Sequence, residues 1–188
     1  MNPEIARLVS AAREGDRQAF TELVTLHQKV AGSVAYGILS DTHLAADAVQ
    51  DAYVKAWRGL DGLREDAKFP SWFLQIVRSR SLDLLRHRKR KAPESVEIDE
   101  NMDASDDLGP SEVLEQQERA AQIRRLLDEL PSEYRELLLL KHDQKRSYRE
   151  IARLLGTTVK GVESKLFRAR QLLAEKLRLL DGGKGDDS

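Results

Sequence analysis

The chain has 188 residues, 40% hydrophobic and 34% charged, which allows one large domain or two small ones of a soluble, polar type. It has no cysteine, which excludes a disulfide framework, a thiolate zinc site and a cysteine nucleophile. The net charge of −1 hides a segregation: residues 1–92 carry +4, 93–118 carry −10 from ten acids and no base, 119–180 carry +7, and 181–188 carry −2. Two basic blocks flanking an acidic connector point to a nucleic-acid partner more than the total does. Met1-Asn2-Pro3-Glu4 lacks the basic-then-apolar pattern of a signal peptide, and no apolar run reaches the length of a membrane span, so a cytoplasmic location is the expectation.

Residues 1–92 read as helices throughout. Asp16 suits the N-cap of a helix with Phe20, Leu23, Val24, His27 and Val30 on one side. Asp41 suits the next cap, with Leu44, Ala48, Val49, Ala52 and Ala56 facing inward and Gly59 just past the end. A turn-rich stretch, Asp61–Asp66, follows. Pro70 then fits the first turn of a third helix running through Trp72, Ile76, Leu82 and Leu85 into the basic run Arg86–Lys91. Residues 93–118, with two prolines and ten acids, read as a flexible linker extended by self-repulsion, with helix resuming near Ser111. From 119 to 180 the pattern shows Ile123, Leu126, Leu127 and Leu130, a break at Pro131, and the apolar run Leu137–Leu140. Ser147 and Glu150 form a capping box for a short helix ending near Gly156. Thr157 or Thr158 caps the last helix, with Val162, Leu166, Ala169, Leu173 and Leu177 on one stripe. Residues 181–188 read as a flexible tail. The expected fold is all-α: two small helical domains joined by an acidic linker.

The segment Ser147–Leu173 makes a helix-turn-helix: a capped helix, a tight turn at Gly156-Thr157-Thr158, and a longer amphipathic helix. The major groove of B-DNA admits one such helix. Its predicted outer face holds Lys160, Ser164, Lys165, Phe167 and Arg168. Lysine and arginine reach guanine acceptors or phosphates, serine bonds either kind of base, and phenylalanine packs on a thymine methyl. A solvated basic face on an amphipathic helix is the alternative. The run Arg86–Lys91 admits two accounts as well: cations complementing a helix dipole, or phosphate contact with salt-sensitive affinity. Phe69 and Trp72 read as core or as a platform for unpaired bases. Asp47, Gln50 and Asp51, continued by Val54 and Trp57, mark one side of a helix that is either solvated or docked on a basic protein surface.

Three stretches together resemble the extracytoplasmic-function subfamily of bacterial RNA polymerase sigma factors. Asp47–Trp57 is similar to region 2.2, and Phe69–Arg78 with Leu82–Arg86 to regions 2.3 and 2.4. Leu130-Pro131, Tyr134-Arg135, Ser147–Ala152, Leu155-Gly156 and Leu166–Arg170 are similar to region 4. The resemblance implies a transcription-initiation subunit that binds core polymerase and reads minus-10 and minus-35 promoter elements while assisting melting. It implies a core-polymerase grip at Asp47, Gln50, Asp51, Val54 and Trp57. Minus-10 contacts fall at Phe69, Trp72, Arg78, Ser79, Asp83, Arg86 and Arg88, with the turn Gly62–Phe69 cradling an extruded base. Minus-35 contacts fall at Tyr148, Arg149, Lys160, Ser164, Lys165, Phe167 and Arg168. The linker would thread toward the active-centre cleft of the polymerase, and an anti-sigma factor is the expected inhibitory partner. Ser79 stands where the family commonly has asparagine, Lys160-Gly161-Val162 where it has Gly-Thr-Val, and Glu163 where many members carry a base; these departures fall at or beside the reading positions.

Two other classes predict different behaviour. A two-domain regulator would pair the helix-turn-helix with a sensing domain of α/β pattern, and no strand pattern competes here. A helical adaptor would show no salt-dependent DNA affinity. Four histidines without triad or metal spacing leave no constellation for an enzyme, and no cofactor is expected.

Overall fold

The computed structural model describes residues 3–91 and 121–182, apart from the side chains of 89, 91 and 180–182. The linker expected over 93–118, the helix start near Ser111 and most of the tail lie outside these residues. Every element among the described residues is helical.

Helix α1 (Pro3–Arg13) buries Leu8, Val9 and Ala12. Helix α2 (Arg17–Leu39) begins at Asp16, whose carboxylate accepts from the backbone N–H groups of Gln18 (2.8 Å) and Ala19 (3.1 Å). Helix α3 (Thr42–Gly59) is capped by Asp41, which accepts from Leu44 N–H at 2.9 Å. Its small inward residues Ala45, Ala48, Ala52 and Ala56 bring it close to its neighbours. Gly59 is the last residue of α3 rather than the stop beyond it. Its φ is −102°, and the chain tightens into the 3-10 turn Leu60–Gly62. After a second 3-10 turn, Asp66–Lys68, helix α4 (Phe69–Lys91) carries Pro70 in its first turn. Helices α2, α3 and α4 pack pairwise, and α1 lies on α2.

The second half begins with α5, described over 121–128. It continues with α6 (Ser132–His142), α7 (Tyr148–Leu155) and α8 (Val159–Gly182), the last running two residues into the expected tail. Leu126 and Leu130 are buried, whereas Ile123 stands exposed. On α8, Val162, Leu166 and Ala169 are fully buried, but Leu177, expected on the same stripe, is exposed where the helix outruns its neighbours.

The two halves share one core. Helix α6 lies along α2, and α7 lies on α4. The α2–α6 crossing is so close that a Cβ on Gly37 would fall 2.7 Å from the Cα of Glu136. At that crossing Arg135 is buried on α6. Its guanidinium donates to the carbonyls of Leu127 (2.8 Å), Asp128 (2.8 Å) and Leu130 (2.9 Å) at the end of α5, and to Gly37 of α2 (3.2 Å). The Leu127 carbonyl also accepts from the Leu130 N–H at 3.0 Å, and a cation at this helix end satisfies the remaining acceptor capacity and complements the helix dipole.

Arg135→Leu therefore strands buried carbonyls. A loss of about 3 kcal/mol in unfolding free energy is expected from the cost of unmet buried acceptors, read as a shifted midpoint in urea titration.

Candidate nucleic-acid and polymerase interface

The helix-turn-helix is built as its sequence indicates. Ser147 Oγ accepts from the Glu150 N–H at 3.3 Å, and the Glu150 carboxylate accepts from the Ser147 N–H at 2.7 Å. The Ser147 hydroxyl also donates to the Glu150 carboxylate at 2.6 Å, and this bond, with that from the Ser147 N–H, holds the Glu150 carboxyl below its usual range. Gly156 closes α7 at φ +65°, a conformation that glycine adopts without strain. Thr158, not Thr157, caps α8: its Oγ1 accepts from Gly161 N–H at 3.0 Å. Ile151 and Ala152 are buried beside Val162 and Leu166, which fixes how α8 is turned.

With that stripe inward, Lys160, Ser164, Lys165, Phe167 and Arg168 all stand on the exposed face. Phe167 is 62% exposed, a large ring held in water beside three cations. Lys165 pairs with Glu133 of α6 at 2.6 Å. Arg149 is exposed and Glu163 lies on the same surface. Tyr148 is half-buried: Lys141 sits over its ring at 5.2 Å from the centroid, and its hydroxyl accepts from Arg170 at 3.4 Å.

In the first half, Asp47, Gln50, Val54 and Trp57 form an exposed strip on α3. Leu26 of α2 is also exposed, and Phe20 meets Trp57 edge-on, with ring centroids 4.9 Å apart. Exposed apolar groups rimmed by acids suit a protein partner with basic charge. Asp51 is less free than expected, because Arg80 of α4 pairs with it at 2.6 Å.

The minus-10 set divides. Ser79, Asp83 and Arg86 are exposed, with Arg86 and Asp83 paired at 3.0 Å. Trp72 is half-buried on the flank of Phe69. Phe69 itself is a correction: it is 1% exposed and stacks on Phe73 with His27 edge-on, so it presents no ring to a base. His27 bonds through Nδ1 with the Leu23 carbonyl at 2.7 Å, and burial pulls its pKa down. Tyr53 closes this cluster over Phe73 and donates to the Val24 carbonyl at 3.0 Å; burial raises its hydroxyl to about 12. Arg88 is half-buried and donates to the Leu39 carbonyl at 3.1 Å, capping α2. Arg78 is held by Glu136 of the second half. The turn 62–69 is pinned by Arg13, a residue that no local pattern singles out. Its guanidinium donates to the Leu63 carbonyl and Asp66 Oδ1, both at 2.9 Å, leaving Arg64, Glu65 and Lys68 at the surface.

Similarity to known proteins agrees with this layout. Residues 23–91 match sigma-70 region 2, and residues 120–173 match sigma-70 region 4. The ECF RNA polymerase sigma-E factor of Escherichia coli is 31% identical over 92% of this chain and 94% of its own length. A probable RNA polymerase sigma factor, RfaY, of Xanthomonas campestris is 32% identical over 88% of this chain, which spans 42% of that longer protein. Among solved structures, CnrH in complex with the cytosolic domain of CnrY has a TM-score of 0.66 at 27% identity, covering 94% of this chain and 98% of that one. The sigma factor RpoE in complex with the anti-sigma factor NepR from Bartonella quintana has a TM-score of 0.62 at 25% identity, covering 85% and 96%. An all-helical chain with a helix-turn-helix fits a DNA-binding protein, and the two matched regions make it a transcription-initiation factor. This chain belongs to the sigma-70 family of bacterial RNA polymerase sigma factors, in its extracytoplasmic-function group. Its function is that of a promoter-recognising sigma factor.

The orientation of α8 has a direct check. Leu166→Ala removes a fully buried side chain and is expected to cost about 2–5 kcal/mol, whereas Phe167→Ala, one residue on, is expected to stay within about 0.5 kcal/mol. Chemical denaturation of the two variants tests the assignment.

Proposed function

We propose that the chain carries core RNA polymerase to promoters through a division of labour between residues 1–92 and 119–180, with 93–118 as the acidic connector. The exposed ring of Phe167 beside Lys160, Ser164 and Arg168 carries the minus-35 half of this reading. A ring in water gains by packing on a thymine methyl, while the flanking cations and hydroxyl reach base edges and phosphates. Arg149 and Lys165 supply further phosphate contacts, and Tyr148 orients the helix pair. In the first half, Trp72, Arg78, Ser79, Asp83 and Arg86 take the minus-10 strand, with the pinned turn 62–69 receiving an extruded base. Capture of unpaired bases drives melting, which is least costly at flexible A·T-rich steps. Asp47, Gln50, Asp51, Val54 and Trp57 grip core polymerase. The protein acts by binding rather than catalysis. No helix among the described residues is long and apolar enough to cross a membrane, and the cytoplasm, where core polymerase and promoter DNA lie, is its working place. The relative solved with NepR supports an anti-sigma factor as a further partner.

Run-off transcription with purified core polymerase over a promoter library is the deciding measurement. Specific initiation is expected, and its absence on every promoter sinks the reading. Arg168→Ala should lower initiation about tenfold or more, the value of one good base contact, at promoters with a matching minus-35 element, and should spare pre-melted templates. Equal loss on both argues against groove reading. Val54→Asp, at a half-exposed position, should weaken holoenzyme assembly without changing stability. Undiminished co-purification with core polymerase refutes the grip.

A further inference from the structure

We infer that helix α1 takes part in promoter reading: Arg13 holds the turn 62–69 in the shape that receives an extruded base, as a positioning residue that touches no base itself. This rests on the proposed capture of a minus-10 base by that turn. Helix α1 lies outside residues 23–91, the stretch that matches sigma-70 region 2.

Local bonds shape only the two ends of the turn. In the 3-10 turn Leu60–Gly62 the Leu63 N–H donates to the Leu60 carbonyl at 3.1 Å, and in Asp66–Lys68 the Lys68 N–H donates to the Glu65 carbonyl at 2.9 Å. Between them Leu63 and Glu65 are extended, with ψ of 110° and 109°, and Arg64 and Glu65 stand exposed. Leu63 and Phe69 are buried and anchor the turn from below. The two sides are tied together by one nitrogen from a distant helix. Arg13 Nη2 donates to the Leu63 carbonyl, before the exposed pair, and to Asp66 Oδ1, after it, both at 2.9 Å, with a longer contact of 3.5 Å to the Leu60 carbonyl. The guanidinium thereby sets the separation of the two sides. Its own footing is firm. Leu8, Val9 and Ala12 bury the inner face of α1, and Gly15, at φ +97°, turns the chain directly into Asp16, the cap of α2. An untied turn would lose backbone freedom on taking a base, whereas a turn already held in shape binds at less cost.

The test titrates holoenzyme with single-stranded oligonucleotides carrying the non-template minus-10 sequence of a promoter on which the parent initiates, each with one base removed to leave an abasic site. For the parent, removing the captured base should weaken binding about tenfold or more, the worth of one stacked base. For Arg13→Ala that penalty should shrink to about twofold, because an untied turn no longer presents a formed site. Its co-purification with core polymerase, and its affinity for the strand that already lacks the captured base, should match the parent's. Arg13→Lys keeps a charge and a donor without the planar fork, and should restore part of the penalty. An equal loss of affinity for every oligonucleotide, with the penalty intact, marks a merely structural residue and overturns the inference. Should circular dichroism show that Arg13→Ala loses helix, Arg13→Gln carries the same arm. If the parent itself shows no penalty at any position, base capture by the turn fails and the inference falls with it. If the parent shows the penalty and Arg13→Ala keeps it in full, base capture stands and the inference alone is overturned.

Discussion

One guanidinium holds the two halves in a common frame. Arg135 is buried, which is costly for a cation, and burial pulls its pKa down. The cost is offset because four carbonyls converge on it, three from the end of α5 and one from Gly37 of α2. The first three orient α6 against α5 and so set the platform on which α7 and α8 stand. The fourth fixes where that platform meets the first half. With Arg135 in place, the neighbouring Glu136 is carried into the seam, where Gly37 leaves room for its backbone.

A pair such as Arg78–Glu136 contributes little net stability by itself. Desolvating a carboxylate costs several kcal/mol, and the Coulombic gain returns about as much. Burial accordingly pushes the Glu136 carboxyl up against the opposing pull of Arg78. The seam is instead held by apolar contact, since Leu137, Leu138 and Leu140 of α6 join the same buried cluster as the α2 residues Val34 and Ile38. The ion pair supplies register. A slipped crossing would leave Glu136 buried without a partner, which is far more costly than the pair is favourable. That combination gives modest net energy and strict geometry.

Local features of the fold were legible in the sequence because their causes are local. Asp16, Asp41, Ser147 with Glu150, and Gly156 act through atoms a few residues away, and each sits where the sequence placed it. The stripe Val162, Leu166 and Ala169 fixed the outer face of α8, and with it Phe167. Residues whose roles depend on distant chain were not legible. Arg13 meets the turn about fifty positions away, and Arg80 meets Asp51 across a helix pair. Arg135-Glu136 reads locally as two polar residues before an apolar run, although both are buried. Phe69 had two readings in the sequence, and the aromatic cluster of His27, Phe73 and Tyr53 decides for core. Leu177 kept the right spacing, but α8 extends past the helices that could cover it.

The packing of the two halves bears unequally on the two proposed reading surfaces. Lys160, Ser164, Phe167 and Arg168 remain in water, so the recognition helix is presented whether or not the halves are joined. Arg78 of the first half is instead paired with Glu136 of the second. Duplex recognition requires only charge and shape, and its affinity is dominated by phosphate contacts that form and release easily. The seam thus engages Arg78 and leaves the outer face of α8 in water.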